Sequence, residues 1–236
     1  AYLPNPNLRW EKVEAWEAGF ESNMFRNRLH VEGVYYKKNT KDLLAKVPGL
    51  SGTIPGIGNL GQIENKGVEL SATWRDQIGD WRYNVGVNLT TIKNKVKSLV
   101  QDGYSIIAGD KSQSYTMAGY RIGFFYGYKV DGVYQSQADI DASPKNTPAD
   151  RTLIGDPTPD VTYGISLGVS YKGWELGIDM MGQGGNQIYR TWDNYNWAQF
   201  NYMEQRLDRW HGEGTSNTQP VLNTGHAINF ENSEYY

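Results

Sequence analysis

The chain has 236 residues, 23 Lys+Arg against 26 Asp+Glu, and a formal charge of −3. That length holds one all-β domain or two small domains, and the near-neutral balance gives no general electrostatic drive toward nucleic acid or anionic membranes. Cysteine is absent, which excludes a disulfide scaffold, a thiol nucleophile and a Cys-based zinc site.

Period-two alternation predicts six strands in chain order. The first centres on residues 16–21, where Trp16, Ala18 and Phe20 alternate with Glu17, Gly19 and Glu21. In the second, Leu29, Val31, Gly33 and Tyr35 share one face, and His30, Glu32, Val34 and Tyr36 the other. In the third, Val68, Leu70, Ala72 and Trp74 alternate with Glu69, Ser71, Thr73 and Arg75. In the fourth, Tyr83, Val85, Val87 and Leu89 alternate with Asn84, Gly86, Asn88 and Thr90. The fifth sets Ile165, Leu167, Val169 and Tyr171 against Gly164, Ser166, Gly168 and Ser170. The sixth sets Trp174, Leu176, Ile178 and Met180 against Glu175, Gly177, Asp179 and Met181. Each strand thus has one apolar face and one that is polar or glycine.

The connections alternate in length. Short turns are expected at residues 22–27 and 76–80, and Lys172-Gly173 is the tip of a tight hairpin. The segments 37–66, 93–162 and 184–236 all exceed the ~15 residues beyond which structureless loops are uncommon in compact domains. No stretch approaches the ~18 apolar residues of a membrane helix, but a membrane β-barrel signals itself by alternation instead. Short turns at one end and long loops at the other fit such a barrel. So do Trp74, Tyr83, Tyr171 and Trp174, all on the apolar phase beside short turns, where a membrane-boundary girdle belongs. A soluble β-sandwich with the same inner-face alternation stays open on pattern alone.

Candidate chemistry is sparse. His30, His211 and His226 are far apart in sequence and have no ligand partner at metal spacing, so solvated or hydrogen-bonded imidazoles are expected. Asp139, Asp141, Asp150, Asp156 and Asp160 lack EF-hand spacing and read as an irregular surface loop. Residues 182–187, Gly-Gln-Gly-Gly-Asn-Gln, lack the Lys-Ser/Thr of a phosphate-binding loop and read as a strand end. No nucleophile–base set or acid–base carboxylate pair stands out, so no enzyme, metal or cofactor is expected. The best candidate contact site is the aromatic stretch 192–202. There Trp192, Asp193, Tyr195, Asn196 and Trp197 combine ring faces and hydrogen-bonding rims suited to sugar rings. The alternative is that these aromatics pack their own loop.

Several stretches, in order along most of the chain, resemble the C-terminal part of SusC/RagA-type TonB-linked outer-membrane proteins. They are residues 5–11 (Asn-Pro-Asn-Leu-Arg-Trp-Glu), 35–44, 59–69, 125–136 (Phe-Tyr-Gly-Tyr-Lys-Val-Asp-Gly-Val-Tyr-Gln-Ser) and 155–160 (Gly-Asp-Pro-Thr-Pro-Asp), followed by Tyr163-Gly164 and Tyr171-Lys172-Gly173. The resemblance implies an all-β chain, 1–236, forming an antiparallel meander segment of a 22-stranded outer-membrane barrel with long extracellular loops. The family's plug domain and final strands are absent, so the chain is expected to be an internal piece of a longer protein. The resemblance also implies uptake of oligosaccharides, or peptides, across the outer membrane of a Bacteroidetes-like Gram-negative cell. Its partners would be a SusD-like substrate-capturing lipoprotein, TonB through the absent N-terminal region, and outer-membrane lipid, with no nucleic acid. Glu69, Ser71, Thr73, Asn84 and Asn88 would face the lumen and the apolar phase would face lipid. The runner-up is a soluble or surface-anchored glycan-binding β-sandwich that buries Val68, Leu70, Val85, Val87, Ile165, Leu167, Leu176 and Ile178.

Overall fold

A computed structural model describes residues 5–47, 56–59, 61–100, 103–109, 112–143, 148–189 and 204–221. Its strands are β1 Lys12–Met24, β2 Leu29–Lys41, β3 Leu44–Val47, β4 Gly56–Asn59, β5 Gly61–Ile78, β6 Trp81–Thr91, β7 Lys93–Leu99, β8 Ser105–Ala108, β9 Ser114–Met117, β10 Phe124–Gly127, β11 Thr152–Gly155, β12 Val161–Tyr171 and β13 Trp174–Gly184. One short helix, α1, spans Gln137–Ala142. Two compact units divide the chain. The first holds residues 1–106, 116–123 and 158–186, and the second holds 107–115, 124–157 and 187–236.

The first unit is built on a sheet of order β1-β2-β5-β6-β12-β13, with β7 paired to β5. All its pairs are antiparallel. These are the six predicted strands, and the five ladders joining them carry no register shift. One row of partners can be followed across the sheet, Met24–Leu29–Trp74–Val85–Leu167–Ile178. Side chains alternate with period two and directly opposed residues share a face. Unbroken register therefore collects the apolar phase of all six strands on one side and the polar phase on the other.

The tight hairpin is as the sequence predicts. Lys172 and Gly173 close β12 onto β13 with φ of 43° and 87°, the left-handed pair of a type I′ turn, which matches strand twist. Aromatics mark both borders of the apolar face. At the turn end Trp81 stacks on Tyr171 at 4.3 Å and Phe25 lies 5.8 Å from Trp74. At the other end Trp16 meets Tyr35 edge-on at 5.7 Å.

Among the described residues of this unit, no second layer covers the apolar face. Leu70, Val87 and Leu176 are 43%, 44% and 63% exposed, where the sandwich reading requires them buried. The unit's small core lies instead where β5 meets β7, at Ile63 and Val96.

The expected long loops carry more strand than their sequence suggests. β2 runs on to Lys41, β5 begins at Gly61, and β7 continues the β6 ladder along β5. β3 and β4 form a further hairpin. Beyond the apolar rows one face turns to lysine and glutamate and the other to amides around the Ile63–Val96 pair, so the hydrophobic alternation stops while backbone pairing continues. In the second unit β10 pairs with β11 and with β9, and Tyr115, Phe124 and Phe125 are buried there.

An arginine at Leu167, central on the apolar face, should destabilise the full-length protein in lipid vesicles by about 2–4 kcal/mol. Ser71→Arg, opposite Glu32 on the polar face, should change stability by less than about 1 kcal/mol. Denaturant unfolding of both variants checks the contrast.

Candidate functional site

Three groups of side chains hold the polar chemistry. The first is the polar face of the six-stranded sheet. Register brings Glu69 opposite Thr90, Ser71 between Glu32 and Asn88, Thr73 between His30 and Gly86, and Asn84 between Arg75 and Gly168. All five predicted residues thus share one face. Ser71 Oγ donates to Glu32 Oε2 at 3.4 Å, and His30 Nδ1 lies 2.9 Å from Asn23 Oδ1. The glycines of this phase are needed for space: a Cβ on Gly164 would stand 2.7 Å from Asn88 Nδ2, and one on Gly168 would collide with Asn84. β12 thus supplies a smooth floor over which two exposed carboxamides lie. Amides and hydroxyls in this arrangement can hydrogen-bond sugar hydroxyls or peptide groups. Among the described residues no group of three or more His, Cys, Asp or Glu side chains could hold a metal ion.

The second group continues the apolar phase past its last apolar row. Val68 pairs with Tyr35, and one row on Lys66 pairs with both Lys37 and Lys93. In the next row Glu64 lies between Asn39 and Lys95. The Glu64 carboxylate, only 6% exposed as a residue, meets Lys37 at 3.2 Å, Lys97 at 3.5 Å and Lys66 at 3.8 Å. The hydrogen bond from Lys37 holds its pKa below the usual carboxylate range, against desolvation and with help from the charges of Lys37, Lys97 and Lys66. The sequence showed alternation ending here but not that three ammonium groups converge.

The third group is in the second unit. Gln135 uses both ends of its carboxamide. Nε2 donates to the carbonyls of Val133 at 2.7 Å and Ser216 at 3.0 Å, while Oε1 accepts from Trp210 Nε1 at 3.1 Å and the Gly214 amide at 2.9 Å. Asn217 Oδ1 accepts from the Val133 amide at 3.2 Å. Ser136 caps α1, and the Asp139 carboxylate returns to the Ser136 and Gln135 amides. Beside this hub lies an apolar cavity of about 320 Å³ lined by Tyr134, Ile140, Trp210, Pro220 and Val221 among others. Trp210, Gly214 and Ser216 lie 75 to 81 positions from Gln135, so local pattern could not have found these partners. The predicted contact residues Trp192, Asp193, Tyr195, Asn196 and Trp197 lie outside the described residues.

Comparison with known proteins adds the following. A family model described as TonB dependent receptor-like, beta-barrel matches residues 1–211. The chain is 33% identical to TonB-dependent receptor P3 of Formosa agariphila, over 78% of this chain and 21% of that one. It is 26% identical to TonB-dependent receptor SusC of Bacteroides thetaiotaomicron, over 78% of this chain and 20% of that one. It superposes on a chain of the RagAB peptide importer in its closed-closed state with a TM-score of 0.81 at 25% identity, over 98% of this chain and 28% of that one. The chain therefore spans about a fifth to a quarter of the length of these relatives.

The Glu64 cluster predicts a pH signature. Because its folded pKa is lowered, its contribution is complete above the ordinary glutamate value of about 4.3 and is lost as pH falls through the folded value. In the full-length protein, amide exchange at residues 61–66, corrected for intrinsic rate, should quicken roughly tenfold on that descent, the equivalent of one charge-assisted hydrogen bond of about 1.5 kcal/mol. Glu64→Gln should show the faster exchange already at neutral pH and lose the pH dependence.

Proposed function

The chain belongs to the TonB-dependent receptor-like β-barrel family of outer-membrane transporters, and on that premise we propose that it forms wall and extracellular loops of an importer for bulky polar nutrients. Members of this family are transporters, not enzymes. The observation that carries the proposal is the unbroken register that separates an apolar face from a polar one over six strands. The apolar face meets lipid and the polar face, with Glu69, Ser71, Thr73, Asn84 and Asn88, lines the lumen.

Dimensions support this reading. Tyr163 and Tyr171 bound the apolar stretch of β12. Their separation is about 27 Å along the strand at 3.4 Å per residue, or about 20 Å vertically at the usual tilt, near the ~25 Å apolar band of such barrels. The short turns lie at the periplasmic side and the long segments outside the cell, following the loop asymmetry of outer-membrane barrels.

The substrate class we propose is an oligosaccharide. The lumen face is rich in uncharged amides and hydroxyls, and residues 192–202 supply aromatic rings beside Asn and Asp. The fold likeness to RagAB, a peptide importer by its name, supports peptides as the second reading. A SusD-like lipoprotein would capture substrate at the loop side, and TonB would supply force through a segment of the longer protein.

Purifying the full-length receptor by affinity tag from its native membrane tests this. The lipoprotein should co-purify, and the complex should bind oligosaccharides and not peptides in calorimetry. Binding of peptides alone would shift the substrate to the second reading, and the absence of any lipoprotein would remove the proposed partner.

A further inference from the structure

The apolar face does not fade into polar residues at its loop end; it gives way to lysine within one row. Val68 and Tyr35 form the last apolar row, with the Trp16–Tyr35 pair at the border. The next two rows and the adjoining bulge of β7 present Lys37, Lys66, Lys93, Lys95 and Lys97 around the buried Glu64, while Glu14 at the β1 end of the Glu64 row is tied to Lys41 at 2.6 Å. Five lysines against Glu64 and Glu14 leave a surplus of three positive charges in these rows, on a chain whose total is −3. Lys93, Lys95 and Lys97 are exposed, and the side chains of Lys37 and Lys66 are each 43% exposed.

Glu64 does more than offset one charge. Its buried carboxylate gathers Lys37, Lys66 and Lys97 within 3.8 Å, so ammonium groups that would repel one another are held side by side. A carboxylate neutralises one of them. The remaining charge faces outward at the depth where aromatic side chains mark the edge of the hydrocarbon. Below it, a shallow dent over Ala72, bounded by Val31, Leu70, Val87 and Ile165, offers room for an acyl chain on the same face.

We infer that this lysine collar, assembled by Glu64, is a binding site for the phosphorylated headgroup of an outer-leaflet lipid. The inference rests on the proposed orientation of the apolar face toward lipid. Charge complementarity selects the occupant: clustered lysines at a bilayer surface each strengthen anionic lipid binding by about fivefold. A phosphate has the density of charge and acceptors that several ammonium groups can share. The net negative charge of the chain hides this local surplus.

The test uses the full-length receptor in detergent and native mass spectrometry, with lipid A bearing its two phosphates as probe and the dephosphorylated lipid as reference. Wild type should retain the phosphorylated lipid selectively and lose it as salt rises. The triple variant Lys66→Gln, Lys93→Gln, Lys95→Gln should bind about 100-fold more weakly, while Lys172→Gln, at the turn end, should bind as wild type does. Equal retention of the dephosphorylated lipid, or a triple variant within twofold of wild type, overturns the inference. Should the triple variant fail to fold, the phosphate and salt dependence of wild type alone decides. A receptor that will not enter lipid bilayers at all would instead contradict the orientation on which the inference rests.

Discussion

Everything in the first unit depends on register. A strand shifted by one residue would exchange its two faces, placing Leu70, Val87 or Leu167 among asparagines and opening the apolar face to charge. The five ladders of the six-stranded sheet run without a bulge, and the tight turns fix them from one end. The Lys172-Gly173 turn admits one geometry, with both residues left-handed, so the first pair above it, Tyr171 with Trp174, is set before any side chain packs. At the same end Arg28 holds Asp76 at 3.2 Å, tying the β1–β2 hairpin to β5. Side-chain packing then follows from the backbone ladder, since among the described residues no second layer of this unit helps to choose it.

This explains how much could be read in advance. The six strands and the shared polar phase of Glu69, Ser71, Thr73, Asn84 and Asn88 came from alternation, which is strong wherever one face is apolar and the other polar. The pairing of Asn88 with Gly164 and of Asn84 with Gly168 was visible only as a polar-or-glycine phase, because space for a carboxamide is a property of the neighbouring strand. Strand ends were misjudged where the apolar phase gave way to charge: β2, β5 and β7 run on through lysines, glutamates and amides in which Ile63 and Val96 are isolated apolar residues, too few to set a hydrophobic period. The Gln135 hub was invisible for another reason. Its contacts join residues 133–136 to 210–216, and only the folded chain brings them together. The resemblance noted for residues 125–136 marked the region without giving its role.

Energetically the molecule has two economies. In the second unit stability comes from a buried aromatic group, Tyr115 with Phe124 at 6.4 Å and with Tyr126 at 4.9 Å, and from satisfied carboxamides. In the sheet, large apolar side chains such as Leu70, Val87 and Leu176 stay exposed in this chain, and on the proposed orientation lipid covers them. The aromatic and lysine rows then act together as a depth gauge. On the proposed orientation, Trp16 and Tyr35 favour the interface, and the lysine row that starts opposite Trp16 at Lys37 opposes any deeper insertion.

The most direct test of this orientation is a nitroxide scan along β12. The chain has no cysteine of its own, so single cysteines at positions 163 to 171 of the full-length receptor, in a cysteine-free background, can be labelled one at a time in lipid bilayers. Collision rates with oxygen should peak at 165, 167 and 169, and those with a water-soluble nickel chelate at 166, 168 and 170, alternating along the strand. Uniform water access, or the opposite phase, would contradict the assignment of the apolar face to lipid and of the polar face to the lumen.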